Sequence, residues 1–363
     1  MIKNFPPAKL ALISLLILSG FTGCSTPKHT FTYTSPEVKG YSSQQLDTLS
    51  SFLASAGSSA MMLMVDGEVI YQWGETNKKH TIHSIRKSII NALYGIQVAK
   101  GVIDTSMTLG ALGIDDLAPA LSEQEKEARI ADLLKSRSGV YHPAAAVSEG
   151  MLRDLPARDT HLPGTHYYYN NWDFNVLGAI LEQQTGKSIY QLFLDDIAIP
   201  LGMHDYTGSF TTIDGEDPEA TIPHTDGYYQ AEKSKSRYPA YHFRLSARDL
   251  ALFGQLYLNG GKWKEKQLIP AAWIEASTKA YSITNPGYGI GYGMLWNVLM
   301  ETENRQSKSF YHTGAGIHML GIYPASRLVL VHRVDTEKNY SFHQGHFYKM
   351  IELVFSAQIK AQP

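Results

Sequence analysis

Strand patterns occur at both ends of this 363-residue chain while its middle reads as helix and loop, so a sheet has to be assembled from segments far apart in sequence. Near the N-terminal end, Met61–Val65 and Val69–Trp73 are apolar runs joined by Asp66-Gly67, a dipeptide that accepts positive φ at both centres of a tight hairpin. Near the C-terminal end, Gly287–Gly293 alternates with period two, and Ser309–Thr313, His318–Tyr323 and Leu328–Val334 are further strand segments. Residues 43–56 place Leu46, Leu49, Phe52 and Leu53 on one helical face, and Ile85, Ile89, Ile90, Leu93 and Ile96 mark a helix that starts near Ser84. Ala131–Leu134, Phe174–Gln184, Ile189–Ile197 and Ala247–Leu258 predict helices in the middle, and a closing helix runs from about His343 to Ile359. This order fits an α+β fold rather than alternating βαβ units. Its mostly antiparallel sheet draws strands from both chain ends, terminal helices flank it, and a helical subdomain is inserted at about 105–280.

Composition removes several functional classes. With 44% apolar and 18% charged residues the chain has the balance of a globular protein, not of a disordered or coiled-coil one. Its formal charge is −2 and it carries no basic stripe, which argues against a nucleic-acid partner. One cysteine excludes an internal disulfide framework and a multi-thiolate metal site. The pairs His80/His83 and His343/His346 do not form H-E-x-x-H and have no matching carboxylate or cysteine cluster, so no metal is expected. The Gly/Tyr stretch at 287–293 does not satisfy G-x-G-x-x-G, and no organic cofactor is expected either. Trp172, Trp296, Tyr141 and the tyrosines between Tyr288 and Tyr292 are candidates to line a cleft for a small-molecule substrate, with core packing as the competing role.

Three short motifs can carry chemistry. Ser84-Ile85-Arg86-Lys87 sets a hydroxyl and an amine three residues apart at a helix start, where both face one side and an unprotonated amine can activate the hydroxyl. The only other S-x-x-K, Ser25 to Lys28, contains Pro27 and lies in a Ser/Thr/Pro-rich segment. Tyr169-Asn170-Asn171 lies where a loop enters a helix: the phenol can shuttle a proton, one asparagine can cap, and an amide can orient a substrate. His312-Thr313-Gly314 follows the strand residues Ser309–Tyr311; glycine permits close approach of a ligand, Thr313 can bond a carboxylate, and the Ala315 N–H can meet an oxyanion. Each motif alone is as well explained by packing.

Taken together and in this order, S-x-x-K, Y-x-N and H-T-G resemble the serine penicillin-recognising hydrolases. That family includes class C β-lactamases, D-alanyl-D-alanine carboxypeptidases, family VIII esterases and 6-aminohexanoate-dimer hydrolases. The resemblance spans about residues 45–355 and extends to Ser136–Val140, Pro163-Gly164-Thr165, Arg244–Asp249 and Gly261-Lys262-Trp263. It implies the β-lactamase/transpeptidase-like fold and a serine hydrolase that passes through an acyl-enzyme on a small ester, amide or β-lactam. It makes Ser84 the nucleophile, Lys87 its proton acceptor and Tyr169 a partner in that role. Asn171 then positions substrate, His312 stands where many β-lactamases have Lys, Thr313 meets a substrate carboxylate, and the N–H groups of Ser84 and Ala315 form an oxyanion hole beside Gly314. Histidine at 312 resembles D,D-peptidases and esterases more than class C β-lactamases, because a neutral imidazole holds a carboxylate less firmly. The alternatives are D,D-peptidase-like or β-lactamase activity, or a non-catalytic binding relative on the same fold.

The first residues read as an address. Lys3 and Lys9, the apolar run Leu10–Leu18 and Phe21-Thr22-Gly23-Cys24 resemble a bacterial lipoprotein signal over residues 1–23, with Cys24 as the lipidated first residue. The apolar run is too short to span a bilayer, which takes about 20 residues. Ser25 in place of the Asp of inner-membrane retention favours an anchor on the periplasmic face of the outer membrane. Residues 24–40 are then expected to act as a tether, followed by the hydrolase domain over 41–363.

Overall fold

The computed structural model describes Met1 and residues 27–359, so the expected signal at 1–23 and Cys24 lie outside the described residues. The strands, in chain order, are β1 (Thr32–Tyr33), β2 (Ala60–Val65), β3 (Glu68–Gly74), β4 (His80–Thr81), β5 (Phe210–Asp214), β6 (Gly227–Ala231), β7 (Ala240–Leu245), β8 (Lys262–Trp263), β9 (Lys266–Gln267), β10 (Ser282–Asn285), β11 (Ile290–Tyr292), β12 (Asn297–Leu299), β13 (Ser309–Gly314), β14 (His318–Tyr323) and β15 (Leu328–Arg333). The principal helices are α1 (Ser43–Ala56), α2 (Arg86–Ala99), α3 (Asn171–Thr185), α4 (Ala247–Leu258) and α5 (Gln344–Ser356).

The main sheet has the order β1-β3-β2-β15-β14-β13-β12-β11-β10, antiparallel except for the β1–β3 pair. β2 from the first part of the chain pairs with β15 from the last, Val65 opposite Leu328 and Ala60 opposite Arg333. The sheet is therefore joined by pairing between distant parts of the chain. Asp66 and Gly67 take φ 52° and 82°, as the hairpin dipeptide requires.

Every residue of β2 is buried because both faces of the sheet are covered. Met61, Leu63 and Val65 pack with Leu46, Leu49 and Leu53 of α1 and with Met350 and Val354 of α5. Met62 and Met64 belong to the opposite core with α2, α3 and α4. Each such side chain contributes about 1.5–3 kcal/mol by leaving water. The helix α4 lies so close to the sheet that a Cβ on Gly254 would fall 2.5 Å from Val329 Cγ1.

The middle of the chain is less helical than its pattern predicts. A second sheet of order β4-β7-β6-β5 stands there, and β8 with β9 forms a separate hairpin. All six residues of β7 are buried, including His242 and Arg244, so no alternation marks it as a strand. The Gly287–Gly293 stretch is only partly a strand: Pro286–Tyr288 is a 3-10 turn, Gly289 is left-handed at φ 61°, and the ladder begins at Ile290. Ile189–Ile197 begins as an α-helix and passes into a π turn at Leu194.

Residues 27–40 lie along the body rather than extending from it. His29 N–H donates to the Gly202 carbonyl at 2.8 Å, Lys28 Nζ to the Met203 carbonyl at 2.6 Å, and the Phe31 ring stacks on His204 at 5.5 Å. The short strand β1 then joins the sheet edge beside β3. Among the described residues no helix is long and apolar enough to cross a membrane.

Candidate active site

The second sheet delivers the S-x-x-K motif. His80 and Thr81 of β4 pair with Leu245 and Arg244 of β7, and Ile82 N–H donates to the Phe243 carbonyl at 2.9 Å. The chain then turns through His83, whose φ of 47° is unusual for a residue with a side chain. His83 Nε2 lies 2.7 Å from Thr336 Oγ1, which holds the turn. Ser84 therefore sits in a 3-10 turn (His83–Ile85) just ahead of α2, not in the helix's first turn as the spacing predicts. Nearly all of α2 is buried on every side, so the turn is anchored by a rigid central helix.

Lys87 Nζ lies 2.9 Å from Ser84 Oγ. Ser84 is half-buried, whereas Lys87 is completely buried. The amine sits 4.7 Å from the centroid of the Tyr169 ring and 4.5 Å from that of Phe174. Ring faces favour an ammonium by about 1–2 kcal/mol, less than the several kcal/mol cost of burying a charge that has no carboxylate partner. Burial, with the Arg86 charge beside it, holds the Lys87 amine well below the usual lysine range.

Tyr169 ends the loop that enters α3. Asn170 caps that helix, its side chain accepting from Trp172 N–H at 3.1 Å and donating to the Val140 carbonyl at 2.6 Å. Burial pushes the Tyr169 phenol up to about 12, opposed by the Ser84 hydroxyl and the Arg86 charge. The phenol thus keeps its proton at neutral pH. Asn171, which follows Asn170, donates from Nδ2 to the Ala146 carbonyl, and its buried Oδ1 has no partner among the described residues.

The third motif arrives on β13. His312 is buried, and its Nδ1 lies 2.9 Å from the Thr313 carbonyl, which makes Nδ1 the protonated nitrogen and leaves Nε2 an acceptor without a partner. Burial, with Lys87 nearby, lowers its pKa to about 3. The imidazole is therefore neutral, as its place in the motif suggested. Gly314 permits a close crossing: a Cβ there would lie 2.5 Å from the Ile82 carbonyl oxygen and 3.0 Å from His83 Cβ.

Ser84, Tyr169, Asn171, His312, Thr313, Gly314 and Ala315 line one cleft of about 1060 Å³, with Lys87 behind its wall. The structure thus gathers all eight of the residues that sequence picked out in the described chain. The aromatic candidates fare differently. Trp172, Trp296 and Tyr292 are core residues, Tyr288 is exposed on a separate groove against α5, and Tyr141 is buried outside the cleft. Tyr167, Tyr168 and Tyr228 line the cleft instead. Sequence reasoning also missed Arg86, His83 and His242. Arg86 stands inside the S-x-x-K quartet, but its spacing says nothing about its direction; His242 lies on a strand that has no alternation.

The sequence matches the Beta-lactamase family over residues 48–354. Among curated proteins, the D-aminopeptidase of Brucella anthropi is 44% identical over 66 residues, which is 18% of this chain and 12% of that protein. The match thus spans about an eighth of the relative's length. Among solved structures, a Bacillus anthracis protein assigned as a 6-aminohexanoate-dimer hydrolase aligns with a TM-score of 0.65 and 18% identity, covering 91% of this chain and 88% of that one. A D-stereospecific amidohydrolase from Streptomyces sp. aligns with a TM-score of 0.60 and 15% identity, covering 88% and 98%. At these identities the two structures establish a shared fold. With the family match covering most of its length, the chain belongs to the Beta-lactamase family.

Proposed function

We propose that this protein is a serine hydrolase that cleaves a small ester or amide through an acyl-enzyme on Ser84. The observation that carries the reading is the 2.9 Å approach of the Lys87 amine, whose pKa burial lowers, to the Ser84 hydroxyl. Ser84 Oγ attacks the carbonyl carbon while its proton passes to Lys87 Nζ. The N–H groups of Ser84 and Ala315 hold the oxyanion. As the tetrahedral intermediate collapses, the C–O or C–N bond breaks and the leaving group takes a proton from the Lys87–Tyr169 pair. Water then attacks the acyl–Ser84 ester, its proton returns by the same route, and the acid product leaves.

A neutral His312 offers no fixed charge at the place where many β-lactamases have Lys, so esters and linear amides are the first substrates to try. The short match to D-aminopeptidases makes amides next to a D-residue the first amides to try. Incubating the purified protein with a 4-nitrophenyl ester, and separately with a penicillin, and then measuring intact mass tests the reading. An acyl adduct that maps to Ser84 and disappears in Ser84→Ala is expected. Undiminished turnover by Ser84→Ala overturns the mechanism.

For the segment outside the described residues, the reading is cleavage before Cys24 and lipidation of that cysteine, with the enzyme held at the outer membrane facing the periplasm. Incorporation of labelled palmitate that is lost in Cys24→Ala is the expected result. Equal labelling of both proteins overturns it.

A further inference from the structure

Arg86 lies between Ser84 and Lys87 in the sequence, opens α2 and lines the Ser84 cleft while only 4% exposed. Its guanidinium carbon is 5.2 Å from the centroid of the Tyr241 ring on β7. Among the described residues its buried Nε and Nη2 have no hydrogen-bond partner. Other arginines at the surface or between elements do have one: Arg158 bonds Glu125, Arg244 bonds Glu337, Arg248 bonds Asp205 and Arg327 bonds Asp66. No carboxylate pairs with Arg86 among the described residues. A planar cation stripped of most of its water and left without a counter-ion is an unfilled half of an ion pair, and its fork suits a carboxylate.

The rest of the cleft wall adds to this. Arg86 is the only arginine or lysine among the described residues that line it. Burial lowers the pKa of His83 to about 4, of His312 to about 3 and of His242 well below the usual histidine range, so these neighbours are neutral at pH 7. His312 presents an acceptor lone pair rather than a donor, and Nε2 cannot bond a carboxylate in that form. The acidic residues on the cleft, Asp154 and Asp217, are exposed and screened by solvent. The fixed charge that a bound substrate meets is therefore positive and lies at Arg86.

We propose that Arg86 receives a carboxylate of the substrate, so that this hydrolase acts on esters or amides that bear a free carboxylate. The assignment rests on the Ser84 acyl-enzyme reading. It moves the carboxylate site expected at Thr313 to the residue that precedes Lys87. Tyr241 behind the guanidinium holds its plane, and Tyr228, stacked on His242 with ring centroids 4.5 Å apart, bounds the same side of the cleft. The same charge also helps lower the Lys87 pKa. The test therefore compares substrates within one protein, where any change in the base affects both alike.

The experiment measures kcat/KM for matched pairs: mono-4-nitrophenyl glutarate against 4-nitrophenyl butyrate for a carboxylate on the acyl side, and 4-butyryloxybenzoate against its methyl ester for one on the leaving-group side. In the unsubstituted protein the carboxylated member of one pair is expected to be favoured by about 10- to 100-fold, the range of a charge-assisted pair. In Arg86→Gln that ratio is expected to fall close to one. No preference in either pair, or a preference that survives Arg86→Gln, overturns the proposal. A second measurement does not depend on a variant that folds: glutarate should compete with the neutral ester while glutaramide does not, and equal behaviour of the two overturns the assignment. Ser84→Ala separates the two readings. Loss of turnover together with retained glutarate binding by calorimetry supports both. Retained turnover with the carboxylate preference intact faults the acyl-enzyme and leaves the Arg86 site standing.

Discussion

Gly314 of β13 crosses the Ile82 carbonyl so closely that a Cβ on the glycine would lie 2.5 Å from its oxygen. Ile82 is bonded to Phe243 of the second sheet, so this crossing is where the two sheets meet beside Ser84. The turn that carries the nucleophile and the strand that carries His312 and Thr313 are thus set against each other by the absence of one side chain.

Gly314→Ala must push that strand away from the turn, because the obstacle is backbone and cannot rotate aside. Overpacking of this kind costs about 1–3 kcal/mol in stability. Displacement of catalytic groups by about 1 Å costs up to about 10²-fold in rate. We expect a small fall in Tm and a large fall in kcat/KM on a 4-nitrophenyl ester; wild-type kinetics would show that the crossing does not position the site.

Burial, with Arg86 beside it, lowers the Lys87 pKa, so the residue weakens the fold that it serves. Its folded pKa is depressed below the unfolded value, and between the two the unfolded chain holds a proton that the folded chain lacks. Stability therefore rises with pH across that window and is lowest below it. Lys87→Met removes this penalty while filling the same space. It is expected to raise Tm at pH 7, flatten the alkaline rise in stability, and lower turnover by about 10²–10⁴-fold. A lower Tm at pH 7 would contradict an amine whose pKa burial depresses.

The phenol of Tyr169, pushed up to about 12, and the depressed amine of Lys87 divide the proton-transfer roles that sequence leaves open between them. If Lys87 is the base, the rate of Tyr169→Phe falls but the acidic limb of its kcat/KM profile stays at the same pH. Measuring both profiles between pH 5 and 9 decides the matter. A limb that moves or vanishes in Tyr169→Phe would assign the base to the phenol.

His332 lies away from the cleft, fully buried, with Nε2 2.9 Å from Ser58 Oγ, and burial lowers its pKa to about 3. Below the ordinary histidine value of about 6.5 the unfolded chain takes up a proton that folded His332 refuses, so stability falls as pH drops from about 6.5 towards 3. His312, also at about 3, and His83, at about 4, add to the same trend. Urea unfolding at pH 7.5, 6 and 5 should show a steep loss. His332→Gln should reduce its slope by up to one proton, about 1.4 kcal/mol per pH unit, with site kinetics unaltered. An unchanged slope would mean that His332 is not a buried neutral group.

What a linear chain can announce was present in this one. Asp66-Gly67 named its hairpin because positive φ at two successive residues is a local demand. The helix α1 was visible because its buried face, Leu46, Leu49, Leu53 and Ala56, repeats at helical spacing, while α3 and α4 are buried on nearly every side. Ser84, Lys87, Tyr169, Asn171 and His312 to Ala315 were identified because the chemistry of acyl transfer asks for those side chains in short, ordered motifs, and all of them in the described chain meet at one cleft or its wall. The second sheet escaped notice because β7 is buried on both faces, so the alternation that marks a strand is absent.

Ionisation states and side-chain directions were decided only in three dimensions. Serine and lysine three residues apart say nothing about the pKa of the amine; burial behind Tyr169 and Phe174 and the proximity of Arg86 lower it. Arg86 itself, adjacent to the base in sequence, became a feature of the cleft only when α2 was buried against β7 with no carboxylate opposite it. Spacing specifies which groups can meet along one element. Desolvation and long-range pairing, which depend on what the rest of the chain packs around them, determine what those groups do once they have met.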